Sequence, residues 1–119
     1  MPARLRPADP AVVADARARL DAGEPTPDDL RLLTKHFLAL LETRAPGRSV
    51  AVRVPPYAAV QCVEGVRHTR GTPPAVVEMD AATWIALATG DLGWYDAERS
   101  ARVRASGERA DLAPYLPLA

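Results

Sequence analysis

The fold is decided by residues 26–54, which read TPDDLRLLTKHFLALLETRAPGRSVAVRV. The first part carries the signals of a helix start, because Thr26 is a good N-cap, Pro27 suits the first helical position and two acidic residues follow. Leucine and phenylalanine then recur on one helical face as far as Leu41, and a Pro-Gly pair ends the helix. From Arg48 the hydrophobic period changes to two, which is typical of a half-buried strand.

Upstream of this stretch, the sequence predicts a lead-in and one further helix. Residues 1–8 contain two prolines and no hydrophobic period, so we expect a flexible lead-in. Asp9 and Pro10 are typical of a cap and a first helical residue, and Gly23 is a good stop for the helix that they begin. We therefore divide the chain into a lead-in, residues 1–8, and a single domain, residues 9–119.

Downstream of this stretch, the sequence predicts three more strands and two more helices. Alternation of side-chain character predicts the strands Tyr57–Val63, Ala75–Met79 and Ala101–Ser106. Helices are expected from Asp80 to Gly90 and over Asp111–Leu116, whereas residues 91–100 have no clear pattern. The order is α-α-β-β-β-α-β-α. Because the helices cluster apart from the hairpins, this order predicts an α+β fold with an antiparallel sheet and helices on one face.

Composition excludes several classes of protein. The 119 residues fit one domain, and a composition of 48% hydrophobic and 25% charged residues is typical of globular proteins. Fifteen basic and fifteen acidic residues cancel, so the chain lacks the positive excess of a dedicated nucleic-acid binder. The apolar runs are too short for a membrane span or a signal peptide. One cysteine excludes an internal disulfide, and we expect a cytoplasmic protein.

Residues that carry catalytic or metal chemistry are sparse. Cys62 and His68 are the one pair that resembles a nucleophile and its base, but Cys62 lies in an apolar strand and is expected to be a small buried hydrophobe. His36 lies off the leucine stripe and is expected at the surface. Two histidines and one cysteine without close spacing make a poor metal site. We therefore expect no enzyme activity, no metal and no cofactor.

Two groups of basic residues have both a functional and a structural interpretation. The loop over Arg67–Thr72 concentrates hydrogen-bond donors that either hold an anion or stiffen the loop itself. Arg53, Arg102 and Arg104 fall on the polar phase of their strands. With Arg48 they either make a basic sheet face that attracts a phosphate or an acidic head group, or form a solvated face paired with Glu64 or Glu78. The sequence leaves these alternatives open.

The two tryptophans are also ambiguous. Trp84 and Trp94 bracket the helix that begins at Asp80 and its exit. They either close the mouth of an apolar pocket or pack in the core.

The second half of the chain resembles the sterol carrier protein superfamily. In its C-terminal half, the superfamily has a helix, a Gly-Asp/Lys-Leu turn, a strand with a closing glycine and a short apolar helix, in that order. The same pattern is found in Asp80–Gly90, Asp91–Trp94, Ala101–Gly107 and Leu112–Leu116. Similarity to the compact bacterial branch comes from Pro46–Pro56, Ala59–Cys62, Glu64-Gly65 and His68–Pro74. The resemblance covers residues 10–118.

This resemblance implies a fold and a function. The fold is a five-stranded, mostly antiparallel sheet with helices packed on one face, and residues 92–98 or the Gly65–Pro74 loop would supply the fifth strand. The function is non-enzymatic binding of a lipid, such as a fatty acid or acyl-CoA, in an apolar cavity between helices and sheet. The alternative is a protein-interaction module with a filled core that docks an acidic partner through the basic sheet face.

The expected site has an apolar lining and a polar end. His68 and Arg70 are the candidates for binding an anionic head group. The predicted lining residues are Leu33, Phe37, Leu40, Leu41, Val52, Val60, Trp84, Leu87, Leu112 and Leu116.

Overall fold

The computed structural model describes residues 5–65, 75–107 and 110–119 of the chain. Helices and strands follow one another in nearly the predicted order. The helices are α1 (Pro10–Asp21), α2 (Pro27–Arg44), α3 (Ala81–Thr89), α4 (Trp94–Arg99) and a 3₁₀ turn (Ala113–Tyr115). The strands are β1 (Val50–Val54), β2 (Ala58–Cys62), β3 (Ala75–Met79) and β4 (Val103–Ser106).

Helix α2 begins where its local signals predict. The Thr26 hydroxyl accepts a hydrogen bond from the backbone N–H of Asp29, and the Asp29 carboxylate accepts one from the backbone N–H of Thr26. This capping box satisfies two N–H groups that a helix end otherwise leaves without partners. The Asp29 carboxylate also accepts two hydrogen bonds from Arg19, at 2.7 and 2.8 Å, and thereby joins α1 to α2.

The sheet is mixed, and this corrects the prediction of a mostly antiparallel, five-stranded sheet. Within the described ranges it has four strands in the order β2-β1-β3-β4. β1 pairs antiparallel with β2 and β3 pairs antiparallel with β4, but β1 and β3 are parallel. Cys62 at the end of β2 and Ala75 at the start of β3 both pair with Val50. β2 and β3 therefore flank β1 on opposite sides, roughly 10 Å apart at the usual strand spacing.

The predicted source of the fifth strand is wrong in part. Trp94–Arg99 forms α4, so residues 92–98 do not supply a strand. Its first turn is closed by a hydrogen bond from the backbone N–H of Ala97 to the carbonyl of Gly93. The other predicted source, the Gly65–Pro74 loop, lies outside the described residues from position 66 onward.

One hydrophobic core lies between the helices and one face of the sheet. Val50, Val52 and Val54 are fully buried on the helix side, whereas Arg53 between them is exposed on the opposite side. The Arg44 guanidinium donates hydrogen bonds to the carbonyls of Tyr115 and Pro117, which fastens the C-terminal segment to α2. This arrangement is the α+β fold that the sequence predicts. Its sheet differs from the predicted one in strand number and strand direction within the described residues.

The lead-in predicted over residues 1–8 remains a prediction. In its described part, Leu5 and Ala8 pack against the core. The backbone N–H of Ala8 donates a 2.9 Å hydrogen bond to Nδ1 of His36. His36 is half-buried by these contacts and not fully at the surface as expected, and burial lowers its pKa.

Candidate functional site

The predicted lining residues converge in one cluster between α2, α3, the sheet and the C-terminal segment. Eight of the ten are buried: Leu33, Phe37, Leu41, Val52, Val60, Trp84, Leu87 and Leu112. Leu40 and Leu116 are half-buried and pack against the same cluster. Helical spacing on α2 and alternation on β1 bring these side chains to one layer. The fold therefore assembles the apolar side chains that the sequence analysis singled out.

Several core residues were not included in the predicted lining. Four of them lie on strands and follow the same alternation that placed Val52 and Val60 in the lining, so that signal could have identified them. Leu38 and Ile85 are the exceptions, because each lies about 100° around its helix from a predicted lining residue, Phe37 or Trp84, and is buried as well. Among the missed residues are Leu38, Val50, Val54, Val77, Met79 and Ile85.

Both tryptophans lie in the core and not at an exposed mouth. Trp84 has no exposed surface, and Trp94 is 5% exposed. The indole Nε1 of Trp84 donates a 3.2 Å hydrogen bond to the backbone carbonyl of Thr34 on α2. The indole Nε1 of Trp94 is buried and has no hydrogen-bond partner in the described part of the chain. Of the two interpretations left open, core packing is the one the structure supports.

The predicted head-group residues belong to the loop over Arg67–Thr72. His68 and Arg70 lie outside the described residues, as does the rest of the Arg67–Thr72 loop. Their role therefore stays a prediction.

The basic sheet face contains a carboxylate in its middle. Arg53 on β1 pairs in register with Glu78 on β3, which pairs in register with Arg104 on β4. Arg104 and Glu78 form an ion pair at 2.8 Å. Arg102 lies just before β4 and is exposed. The face is thus less basic than three arginines alone would make it, and the pairing with a carboxylate agrees with the solvated-face interpretation.

An open surface cleft of about 430 Å³ lies beside this face. It is formed where β3 ends, α3 begins and β4 starts. Asp80 caps α3 by accepting a 2.8 Å hydrogen bond from the backbone N–H of Thr83. That bond, the Thr83 hydroxyl and the nearby charge of Arg102 lower the pKa of Asp80. The cleft is lined by Glu78, Met79, Asp80, Thr83, Ala101, Arg102 and Arg104.

Sequence reasoning missed this cleft as a site. Its residues come from three segments that are adjacent only in the folded chain. The one available signal was the polar phase of Arg102 and Arg104, which the sequence analysis assigned to the sheet face.

Cys62 is poorly suited to act as a nucleophile. Its side chain is fully buried. Burial raises the pKa of the Cys62 thiol to about 12, with a further contribution from the nearby Glu42 carboxylate. Only the thiolate is reactive, so this thiol is held in its inert form near neutral pH.

Metal sites and membrane spans were sought in residues 5–65, 75–107 and 110–119. No group of three or more His, Cys, Asp or Glu side chains there is arranged to hold a metal ion. Among the helices described, none combines the length and the apolar character needed to cross a bilayer.

A comparison with known protein families finds a match over most of the chain. The family model described as bacterial SCP ortholog matches residues 27–118, from the start of α2 to the end of the C-terminal segment. The chain belongs to this family of compact, sterol-carrier-like bacterial proteins. The match confirms the resemblance found in the sequence. A comparison with curated proteins gives no match.

Proposed function

We propose that this protein binds a lipid or another apolar ligand, such as a fatty acid or acyl-CoA, between its helices and its sheet. Binding is non-covalent, and the ligand leaves chemically unchanged. The same site would serve transfer when the ligand is released to an acceptor. The proposal places this activity in the cytoplasm and involves no cofactor.

The observation that carries the proposal is the convergence of the predicted lining residues in a protein of the sterol-carrier-like family. The ten side chains come from four separate parts of the chain and meet in one apolar cluster. Such a cluster suits an acyl chain, since each buried CH₂ group contributes about 0.8 kcal/mol. The buried, protonated Cys62 thiol supports binding without chemistry.

Energetics constrain the state of the site before ligand binds. A ligand pocket needs about 300 Å³. Left empty and dry, a cavity of that size would cost about 7 kcal/mol at 24 cal/mol per Å³. Domains of this size have only about 5–15 kcal/mol of stability, so the site is small, wet, collapsed or filled when no ligand is present. Ligand binding should therefore stabilise the protein measurably.

A polar contact for an anionic head group is part of the proposal. His68 and Arg70 are the candidates from the sequence. Replacing Arg70 by alanine should weaken binding of palmitate and leave binding of hexadecanol, its neutral counterpart, unchanged. Equal loss for both ligands would remove Arg70 from this role.

The second candidate function is docking of an acidic protein partner on the face that carries Arg53, Arg102 and Arg104. The observation in its favour is that all three arginines are exposed. The ion pair between Glu78 and Arg104 reduces the charge available to a partner. Reversing the charge of the three arginines would abolish capture of such a partner if this function is correct.

Ligand-dependent thermal stability tests the lipid-binding proposal. Palmitate at one hundred times its Kd should raise Tm by roughly 10 °C, and acetate should not. Leu116→Asp places a charge on a half-buried lining residue and should remove the palmitate effect. Val12→Asp is the matched control, because Val12 is 45% exposed and outside the predicted lining. No palmitate effect on the unmodified protein would reject the proposal.

A further inference from the structure

The cleft between β3, β4 and the start of α3 has the size of a ligand site. Its volume of about 430 Å³ exceeds the roughly 300 Å³ at which ligand pockets begin. Three elements contribute to it: the end of β3 with Glu78 and Met79, the first turn of α3 with Thr83, and the residues that lead into β4.

The four charged side chains that line the cleft differ in whether they are bound by other groups of the protein. Glu78 is held by Arg104 at 2.8 Å, and Asp80 is held by the N–H of Thr83 at 2.8 Å. Both carboxylates thus have partners within the protein. Arg102 has no ion pair and no side-chain hydrogen bond to any residue that the structure describes. A guanidinium carries five N–H donors in a planar fork, and its geometry matches a carboxylate.

The inner wall of the cleft is part of the hydrophobic core. Met79 lines the cleft, yet it is only 4% exposed and belongs to the same core cluster as Trp84 and Leu87. Thr83, also on the lining, is 1% exposed. Met79 therefore lies at the boundary between the open cleft and the apolar cluster. Methionine is unbranched and flexible, so it can change rotamer more easily than the branched residues around it.

We propose that this cleft is the entrance for an amphipathic anionic ligand, with its carboxylate bound by Arg102 and Arg104 and its chain passing Met79 into the core. The inference rests on the proposed lipid-binding function and names both a ligand class, single-chain fatty carboxylates, and a route of entry. It assigns an anion contact to residues separate from His68 and Arg70. Arg102 supplies donors that no described residue engages, and Arg104 contributes those that its bond to Glu78 leaves unused.

Calorimetric titration with two matched ligands tests the carboxylate contact. The unmodified protein should bind palmitate more tightly than hexadecanol, and Arg102→Gln should weaken palmitate about tenfold, as expected for one charge-assisted hydrogen bond. Hexadecanol affinity should stay the same. Arg102→Lys should restore part of the palmitate preference. Arg53→Gln is the control, because Arg53 is exposed on the same sheet face but does not line the cleft.

Methyl NMR tests the route past Met79. The chain has two methionines, so protein labelled with ¹³C-methyl methionine gives one signal from Met79 and one from Met1 as an internal reference. Met79→Leu assigns the signal. Both palmitate and hexadecanol should shift the Met79 methyl resonance, because both chains pass it.

The outcomes separate this inference from the function on which it rests. If neither ligand binds, both are rejected. If both ligands bind but Arg102→Gln leaves the preference for palmitate intact, or the Met79 resonance does not move, the entrance is rejected and the lipid-binding function stands. Loss of palmitate preference together with a shifted Met79 resonance supports the entrance.

Discussion

Trp84 on α3 donates a hydrogen bond from its indole Nε1 to the backbone carbonyl of Thr34 on α2, at 3.2 Å. Both residues are fully buried. The bond therefore fixes the relative position of two helices within the cluster that the proposed ligand occupies. A displaced α3 would change both the packing of Trp84 and the space beside it.

Replacing Trp84 by phenylalanine should lower the free energy of unfolding by about 2 kcal/mol. The variant loses one buried hydrogen bond and leaves part of the indole volume unfilled. Urea unfolding followed by circular dichroism measures the change. Tyr95→Phe is the control, because Tyr95 is 59% exposed and its replacement should change the free energy by less than about 0.5 kcal/mol. Similar losses of unfolding free energy in the two variants would contradict a stabilising role for the Trp84 hydrogen bond and packing.

Gly47 is required where the chain turns from α2 into β1. Its φ is +148°, and a Cβ atom there would lie 2.2 Å from the carbonyl oxygen of Val63. Gly47→Ala should therefore destabilise the protein by about 2 kcal/mol or more. Gly23 also has a positive φ but has nothing within 4 Å of a built Cβ, so Gly23→Ala should cost only about 1 kcal/mol. Chemical denaturation of both variants checks that Gly47→Ala loses more unfolding free energy than Gly23→Ala. A larger loss for Gly23→Ala would refute the steric argument.

The ion pair between Arg19 and Asp29 should make stability depend on pH. Hydrogen bonds from Arg19 and from the backbone N–H of Thr26 hold the pKa of Asp29 well below its usual range. A depressed carboxyl pKa contributes stability above the unfolded-state pKa of about 3.9, and this contribution is lost as pH falls through the folded-state pKa. The unmodified protein should thus be more stable than Asp29→Asn at pH 7, and the difference should shrink below about pH 4.

The matched control for this pH dependence is Asp28→Asn. Asp28 is next in sequence, its side chain is 91% exposed, and its contact with Arg31 is 3.7 Å. Such a surface pair contributes little. Tm measured from pH 7 to pH 3 should show a pH-dependent gap for Asp29→Asn and almost none for Asp28→Asn. A gap that is constant with pH would mean that the carboxylate charge is not the cause.

The Cys62 thiol should resist chemical modification while the protein is folded. Burial raises its pKa to about 12, so almost no thiolate is present at pH 8. Ellman's reagent should react only as fast as the protein opens, and at once in 6 M guanidinium chloride. Rapid labelling of the folded protein would show an accessible thiol and reopen the question of a cysteine-dependent activity.

Local signals in the sequence determined the helices well. The cap at Thr26 and the leucine stripe predicted α2 because both depend on residues close together in the chain. The start of α3 at Asp80 was predicted for the same reason. Helix α4 was missed because its six residues are too few to display a clear helical period.

The pairing of strands that are distant in the sequence could not be predicted. Alternation predicted the strands themselves, but nothing local to Ala75–Met79 shows that it pairs with β1 and not with β2. The cleft was missed for a related reason, since Met79 and Arg102 meet only after β3 and β4 have paired. The apolar cluster was predictable because burial follows the same periods as secondary structure.

Native mass spectrometry of the protein as purified tests the central claim most directly. Mild ionisation should show the chain with one bound apolar molecule, close to one per chain, and solvent extraction should identify it as a lipid or acyl compound. A bare mass of 12.8 kDa, together with no rise in Tm when palmitate is added, would contradict lipid binding and favour the acidic-partner function.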